Sequence, residues 1–272
     1  MLPLSEYNGT TQTETPAGPE IKLLGVSVRF GDSQAALADL KLHCRGGEFV
    51  SVVGPSGCGK STLLRVIAGL QRPTAGTVQI GDDDSSEYRR QTGFVFQQPT
   101  LLPWRRLLDN IALPLELRGM SREKRRDEAR RVCELVGLSV DDEAKLPRML
   151  SGGMRMRVSL ARTLVTHPKV MLLDEPLAAI DDILRNQLLV ELAELWRQGK
   201  WTTVLVTHNV AEAVFISQRV IVMSPRPGRI VDELPIPFEY PRQSELRATA
   251  RFAELTGQVT AALHTSGREA AK

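Results

Sequence analysis

The sequence predicts an α/β fold: a mainly parallel sheet with helices on both faces, a small antiparallel β unit, and an inserted block of helices. Three observations carry this prediction. From Met154 onward, short apolar runs of strand length alternate with runs of helical periodicity, as in a parallel sheet joined by crossover helices. From Leu101 to Val140 the patterning is helical and strand signals are missing. Near the N-terminus, Ile21 to Phe30 and Ala36 to Cys44 alternate apolar and polar residues on either side of the turn Gly31-Asp32-Ser33, which reads as an antiparallel pair.

The elements follow in order. The run Glu48 to Val53 is an apolar strand, and Ser61 to Leu70 a helix. Gly76 to Ile80 is a short strand, Gly81-Asp82-Asp83-Asp84 a turn, and Thr92 to Phe96 a buried strand ending at Gln97. After an apolar loop, Leu101-Leu102-Pro103-Trp104, helices are expected over Leu107 to Arg118 and Arg122 to Val136. The charged run from Ser121 to Arg131 mixes signs, and Ala129, Val132, Cys133 and Val136 recur at helical spacing, so a solvated helix face competes with a nucleic-acid patch. Helices over Met154–Thr166, Ile183–Gln198 and Val210–Ser217 alternate with strands over Val170–Leu173 and Thr202–Thr207. Two closing strands, Arg219–Met223 and Arg229–Leu234, flank Pro225-Arg226-Pro227-Gly228, and from Pro241 one amphipathic helix (Leu246, Phe252, Leu255, Val259, Leu263) leads into a frayed tail.

Composition bounds the function. The 272 residues suffice for a substantial core, and 42% hydrophobic with 25% charged content is ordinary for a globular protein. With 35 basic against 32 acidic residues the net charge is only +3, so no general case for nucleic-acid binding exists. Cys44, Cys58 and Cys133 are too scattered for a disulfide framework or metal cluster, which makes a reducing cytoplasm the expected compartment. No apolar run approaches the roughly 20 residues that span a bilayer, so any membrane role would be exercised through partners. Ser5 to Pro19, rich in Thr, Pro and Gly, is expected to be a flexible lead-in.

The chemistry centres on Gly54-Pro55-Ser56-Gly57-Cys58-Gly59-Lys60-Ser61-Thr62, set between a strand and a helix. This is the G-x-x-x-x-G-K-[ST] pattern in its required setting. The glycines let the backbone close around a polyphosphate, and the amides at the following helix N-terminus make an anion site. Lys60 would reach the β- and γ-phosphates, and the Ser61 hydroxyl would ligate Mg²⁺. Asp174 and Glu175 end an apolar strand, and in a parallel sheet such ends face the ligand crevice. Asp174 would hold Mg²⁺ while Glu175 polarises the attacking water. Thr207-His208 closes the next strand, where a histidine can donate to the γ-phosphate; Gln97 could reach both metal and water. Ser151-Gly152-Gly153 caps another helix N-terminus, and the economical reading is that it serves the nucleotide of a second copy. Phe30 could stack on a base or belong to the sheet core.

Taken in order, Phe30, Gly54 to Ser61, Gln97, Leu150 to Gly153, Asp174-Glu175, Ile180-Asp181 and His208 resemble the A-loop, Walker A, Q-loop, signature, Walker B, D-loop and switch histidine of the ATP-binding subunits of ABC transporters. The likeness runs from Ile21 to about Leu234. It implies a RecA-like P-loop NTPase core and an ATPase using ATP and Mg²⁺. It also implies a head-to-tail dimer, each ATP sandwiched between the cradle of one chain and Ser151-Gly152-Gly153 of the other, with Asp181 among the nucleotide-binding residues. The implied domains are a lead-in at 1–19, an ATPase domain at 20–240 with a helical part near 98–158, and a C-terminal helix and tail at 241–272.

Less specific features are similar to importers of nitrate, sulfonates, taurine and related small anions: Val95-Phe96-Gln97 with Leu101-Leu102-Pro103-Trp104, Leu150 to Arg155, Glu212-Ala213-Val214-Phe215, and Pro225 to Arg229. That resemblance implies a separate membrane permease, a solute-binding protein acting indirectly, and a peripheral position on the cytoplasmic face of the inner membrane. Leu101, Leu102 and Trp104 would then form part of an apolar socket for a permease helix; the rival reading makes Trp104 ordinary core. An exporter ATPase, or a soluble ABC ATPase of repair, translation or iron–sulfur assembly, is the alternative function. Met154, Met156, Ile180 and Asn209 depart from the commoner family residues, and none removes a phosphate or metal ligand.

Overall fold

The structure is a computed structural model that describes residues 17–31, 34–81, 91–178 and 180–269. The turn residues 32–33 and 82–90 and the stretch 1–16 lie outside the described residues.

Two sheets form the body. Strands β1 (Ile21–Val28), β2 (Leu37–Cys44) and β4 (Ala75–Ile80) make an antiparallel sheet in the order β2-β1-β4. The alternation read from Ile21 is therefore a real half-buried strand, with Ile21, Leu23, Val26 and Val28 turned inward. The second sheet has the order β5-β6-β7-β3-β8-β9, built from β3 (Phe49–Val53), β5 (Thr92–Val95), β6 (Val170–Asp174), β7 (Thr202–Thr207), β8 (Arg219–Met223) and β9 (Ile230–Pro235). All of its neighbours pair in parallel except β9, which runs antiparallel to β8 as the edge. Strands β3, β6 and β7 are buried throughout, which is why their sequences are mostly apolar or threonine and do not alternate.

Alternate strand residues feed two cores. Val50, Val52, Leu172 and Val204 join β1, β2 and α1 (Lys60–Ile67). Phe49, Val53, Leu173 and Leu205 face α2 (Leu107–Leu117), α3 (Arg122–Leu135), α4 (Gly152–Leu164), α5 (Asp182–Gly199) and α6 (Val210–Ile216). Helices thus lie on both faces as expected, with α1 sharing its face with the antiparallel sheet.

Two expectations need correction, and a third reading is decided. Residues 17–19 of the lead-in are pinned: the Gly18 amide donates to the Lys200 carbonyl at 2.9 Å and the Pro19 carbonyl accepts from Thr202. The C-terminal stretch is a 3-10 turn, Ser244–Ala248, followed by α7, Ala250–Glu269, so Leu246 precedes the helix whose Phe252, Leu255 and Val259 pack on the main core. In α3 the arginines turn to acidic neighbours, Arg126 to Asp109, Arg130 to Glu143 and Arg125 to Glu116, which favours the solvated-face reading over a nucleic-acid patch.

Candidate active site

Parallel pairing brings four strand ends to one level. Val53 lies opposite Thr207, Val95 opposite Leu173, and Asp174 opposite Val206. The residues just past these ends are Gly54, Gln97, Glu175 and His208, so the sheet gathers residues more than 150 positions apart along one edge. That edge is the carboxyl end of the parallel strands, where open α/β sheets bind ligands.

The cradle leaves β3 at Gly54 and enters α1 at Lys60. Pro55, Ser56 and Gly57 are exposed at its rim, while Cys58 is buried beneath it and burial pushes its thiol pKa up. Gly59, the N-cap of α1, has φ 108°. A Cβ there would also meet Leu37 at 2.7 Å and the Ala36 carbonyl at 2.8 Å, so both torsion and packing demand glycine. Lys60 is buried and its Nζ donates to the carbonyl oxygens of Gly54 (2.7 Å) and Pro55 (3.0 Å). The side chain is thus folded back across the cradle, its ammonium held where an anion would enter. Thr62 is half-buried on the first turn of α1.

The Ser61 hydroxyl donates to Asp174 Oδ1 at 2.8 Å. Burial raises the Asp174 pKa, opposed by the Ser61 hydrogen bond and worsened by the charge of Glu175; Arg65 and Lys60 pull it back. A hydroxyl and a buried carboxylate side by side are hard oxygen donors, a set that fits Mg²⁺.

Glu175 follows at φ 45°, a left-handed conformation that costs an L-residue about 1–2 kcal/mol. Its amide donates to the Val206 carbonyl at 2.9 Å, which holds this strained residue against β7. The Glu175 Oε2 atom lies 2.9 Å from Nδ1 of the exposed His208. Gln97 is exposed two residues past Val95 and makes no hydrogen bond to these groups. Phe30 is 45% exposed, beyond the end of β1, so it is not a residue of the sheet core.

The structure places the remaining candidates in a second cluster. Ser151 caps α4, its hydroxyl accepting from the Met154 amide at 3.2 Å. Asp181 caps α5 by accepting from the Leu184 amide at 3.0 Å. A Cβ on Gly153 would meet Leu184 Cδ2 at 2.4 Å, so the two helix starts pack together there. No hydrogen bond among the described residues joins this cluster to Lys60, Asp174, Glu175 or His208. Ile183 beside it is 85% exposed.

Sequence reasoning missed two groups. Asn110, fully buried, binds the apolar loop with its side chain: Oδ1 accepts from the Leu102 amide (2.8 Å) and Nδ2 donates to the carbonyls of Leu102 (3.2 Å), Arg105 (2.9 Å) and Arg106 (3.2 Å). That scaffold leaves Trp104 73% exposed, which excludes the core reading. The buried Glu212, on the helix that follows His208, pairs with the half-buried Arg185 at 3.3 Å. A polar residue at an apolar helix position was the available signal for Asn110. For Glu212 it was the Asn209-x-x-Glu212 spacing of a helix cap. Asn209 does cap α6, accepting from the Glu212 amide at 3.1 Å, so this departure from the commoner residue leaves the cap intact.

A family model described as ABC transporter matches residues 37–178. An uncharacterized ABC transporter ATP-binding protein of Methanocaldococcus jannaschii is 44% identical to this chain over 224 residues, 82% of each chain. An aliphatic sulfonates import ATP-binding protein of Mesorhizobium japonicum is 43% identical over 237 residues, 86% of this chain and 85% of the relative. Among solved structures, a dimeric post-hydrolysis state of an ATP-binding cassette bound to ADP and Pi is similar with TM-score 0.70 and 32% identity, over 80% of this chain and 100% of that one.

Proposed function

The chain belongs to the ABC transporter family as an ATP-binding, ATP-hydrolysing subunit, and on that footing we propose that it energises uptake of a small organic or inorganic anion through a separate membrane permease. The relatives named for aliphatic sulfonate import support a sulfonate as the solute. Among the described residues no helix is long and apolar enough to cross a membrane, so attachment falls to the permease, on the cytoplasmic face of the inner membrane.

The observation that carries the transport reading is Trp104, 73% exposed on a loop made rigid by Asn110. An exposed indole held on an ordered loop, beside the half-buried Leu101 and Leu102, has the character of an aromatic interface anchor and suits capture of an apolar helix. In this reading α2 and α3, with the start of α4, form the helical part near 98–158 of an ATPase domain spanning 20–240, and 241–272 a C-terminal unit.

In turnover the cradle amides and Lys60 bind the phosphates, Lys60 exchanging the Gly54 and Pro55 carbonyls for phosphate oxygens. Ser61, Asp174 and Gln97 would hold Mg²⁺, which when bound neutralises phosphate charge. Glu175 accepts the proton of the attacking water. His208, hydrogen-bonded to Glu175, orients that carboxylate and donates to the terminal phosphate. Phe30 stacks on the base. Ser151, Gly152 and Gly153 of a second copy, with Asp181 beside them, close over the nucleotide in a head-to-tail dimer; the dimeric state of the similar cassette supports this.

The test is to tag the chain, solubilise membranes gently with ATP present, and identify what co-purifies. An integral membrane protein in about equal amount is expected, lost on Trp104→Ala. Recovery with ribosomes, DNA or soluble assembly factors alone contradicts the transport reading and leaves the ATPase standing.

A further inference from the structure

We infer that Glu212 is a positioning residue for turnover, its buried carboxylate setting the turn that carries His208 while Arg185 and Arg247 supply the countercharge. The inference rests on the reading above that His208 acts on the terminal phosphate.

A glutamate three residues after a helix cap ordinarily reaches back to the amide of the capping residue. Here the connection is relayed. The Asn209 amide donates to Thr207 Oγ1 at 3.0 Å, and the Thr207 hydroxyl donates to Glu212 Oε2 at 2.7 Å. The residues on both sides of His208 are therefore tied to one carboxylate.

That carboxylate is buried, and burial works against its charge. The Thr207 hydrogen bond and the charges of Arg185, His208 and Arg247 oppose this. Arg185 Nε lies 3.3 Å from Glu212 Oε1, and the same guanidinium donates to the carbonyls of Leu177 and Ile180 in the turn that follows Glu175. Arg247, from the Ser244–Ala248 turn, lies over the Phe215 ring at 4.2 Å, and its charge favours ionised Glu212. The Nε and Nη2 atoms of Arg247 are buried and have no hydrogen-bond partner, so its contribution here is charge rather than a directed bond. The C-terminal segment also fixes the far end of α6, where Arg242 donates to the carbonyls of Phe215 (2.8 Å) and Ser217 (2.9 Å).

One carboxylate thus joins three segments: the turn after Glu175, the turn bearing His208, and the C-terminal unit.

The experiment measures kcat and KM for ATP, and affinity for a non-hydrolysable ATP analogue, on the purified full chain carrying Glu212→Gln, His208→Ala or both. Glu212→Gln should lower kcat about tenfold, leave KM and analogue affinity within about twofold, and lower turnover no further once His208 is alanine. An equal loss in both backgrounds, or a raised KM at unchanged kcat, makes Glu212 a purely structural residue and overturns the inference. Wild-type turnover of His208→Ala would sink the His208 reading separately. Should Glu212→Gln not fold, Arg247→Met keeps an apolar stem over Phe215 while removing charge. It should lower kcat about threefold at constant KM. Unchanged kcat also overturns the inference.

Discussion

The Nδ1 atom of His208 stands 2.9 Å from Oε2 of Glu175, bridging the ends of two adjacent parallel strands. The contact joins the proposed base to the residue that orients it. Glu175→Gln keeps the side-chain volume and a possible hydrogen bond to the imidazole but removes the proton acceptor. ATP binding should persist, turnover should fall by about 100-fold or more, and an ATP-bound dimer should accumulate on size exclusion. Unchanged turnover would remove Glu175 as the base.

Asp174 is buried with its pKa raised by desolvation. Its ordinary value is 3.8, so above that pH the folded state holds the proton longer than the unfolded chain does. The folded state then binds more protons, and this group's contribution to stability falls as pH rises through that window. Asp174→Asn keeps an acceptor for Ser61 without the buried charge. It should raise the Tm of the nucleotide-free protein at neutral pH and flatten its pH dependence just above 3.8, while Mg²⁺-dependent turnover falls about 100-fold or more. A lowered Tm would show that the charge on Asp174 stabilises the nucleotide-free fold, against the desolvation that raises its pKa.

Lys60 is bonded to the Gly54 and Pro55 carbonyls and must leave them to meet phosphate. Lys60→Ala should weaken ATP binding about tenfold or more, measured by calorimetry, since a charge-assisted contact is lost. Equal affinity would mean that the cradle amides suffice.

Trp104 and Asn110 should separate docking from folding. Trp104→Ala removes an exposed side chain and should shift stability by less than about 0.5 kcal/mol, leaving the ATPase rate of the isolated chain unchanged and abolishing permease capture. Asn110→Ala leaves the Leu102 amide and the Arg105 carbonyl without a partner, the Leu102 and Arg106 carbonyls keeping backbone donors, and should cost about 2 kcal/mol or more, measured by urea unfolding. The opposite ranking of stabilities would return Trp104 to a core role.

Much of this site was legible because its residues are local to strand ends. Gly54 to Ser61, Asp174-Glu175 and His208 each follow an apolar run whose burial fixes where it ends, and parallel register then aligns them. The spacing could not tell why each glycine is needed: Gly59 answers to φ and to Leu37, whereas Gly153 answers to Leu184, 31 residues on. Long-range polar pairs left little trace. Arg185 and Glu212 meet only because α5 and α6 pack side by side, and on paper Glu212 is one more acidic residue in a helix. Arg247 was hidden in the same way, since the C-terminal stretch reads as one amphipathic helix while its first turn is a separate 3-10 segment. The lead-in misled because a Pro- and Gly-rich composition carries no hint that Gly18 sits in a slot against Lys169 and Thr202 where a Cβ would clash.

The most direct test of the central claim is uptake of labelled sulfonate by proteoliposomes holding the co-purified permease, its solute-binding protein and either the wild-type chain or Glu175→Gln. ATP-dependent uptake is expected with the wild type and only background with the variant, although both complexes assemble. Equal uptake with the two chains, or none with any small anion despite active ATP hydrolysis, would contradict a role for this site in driving import.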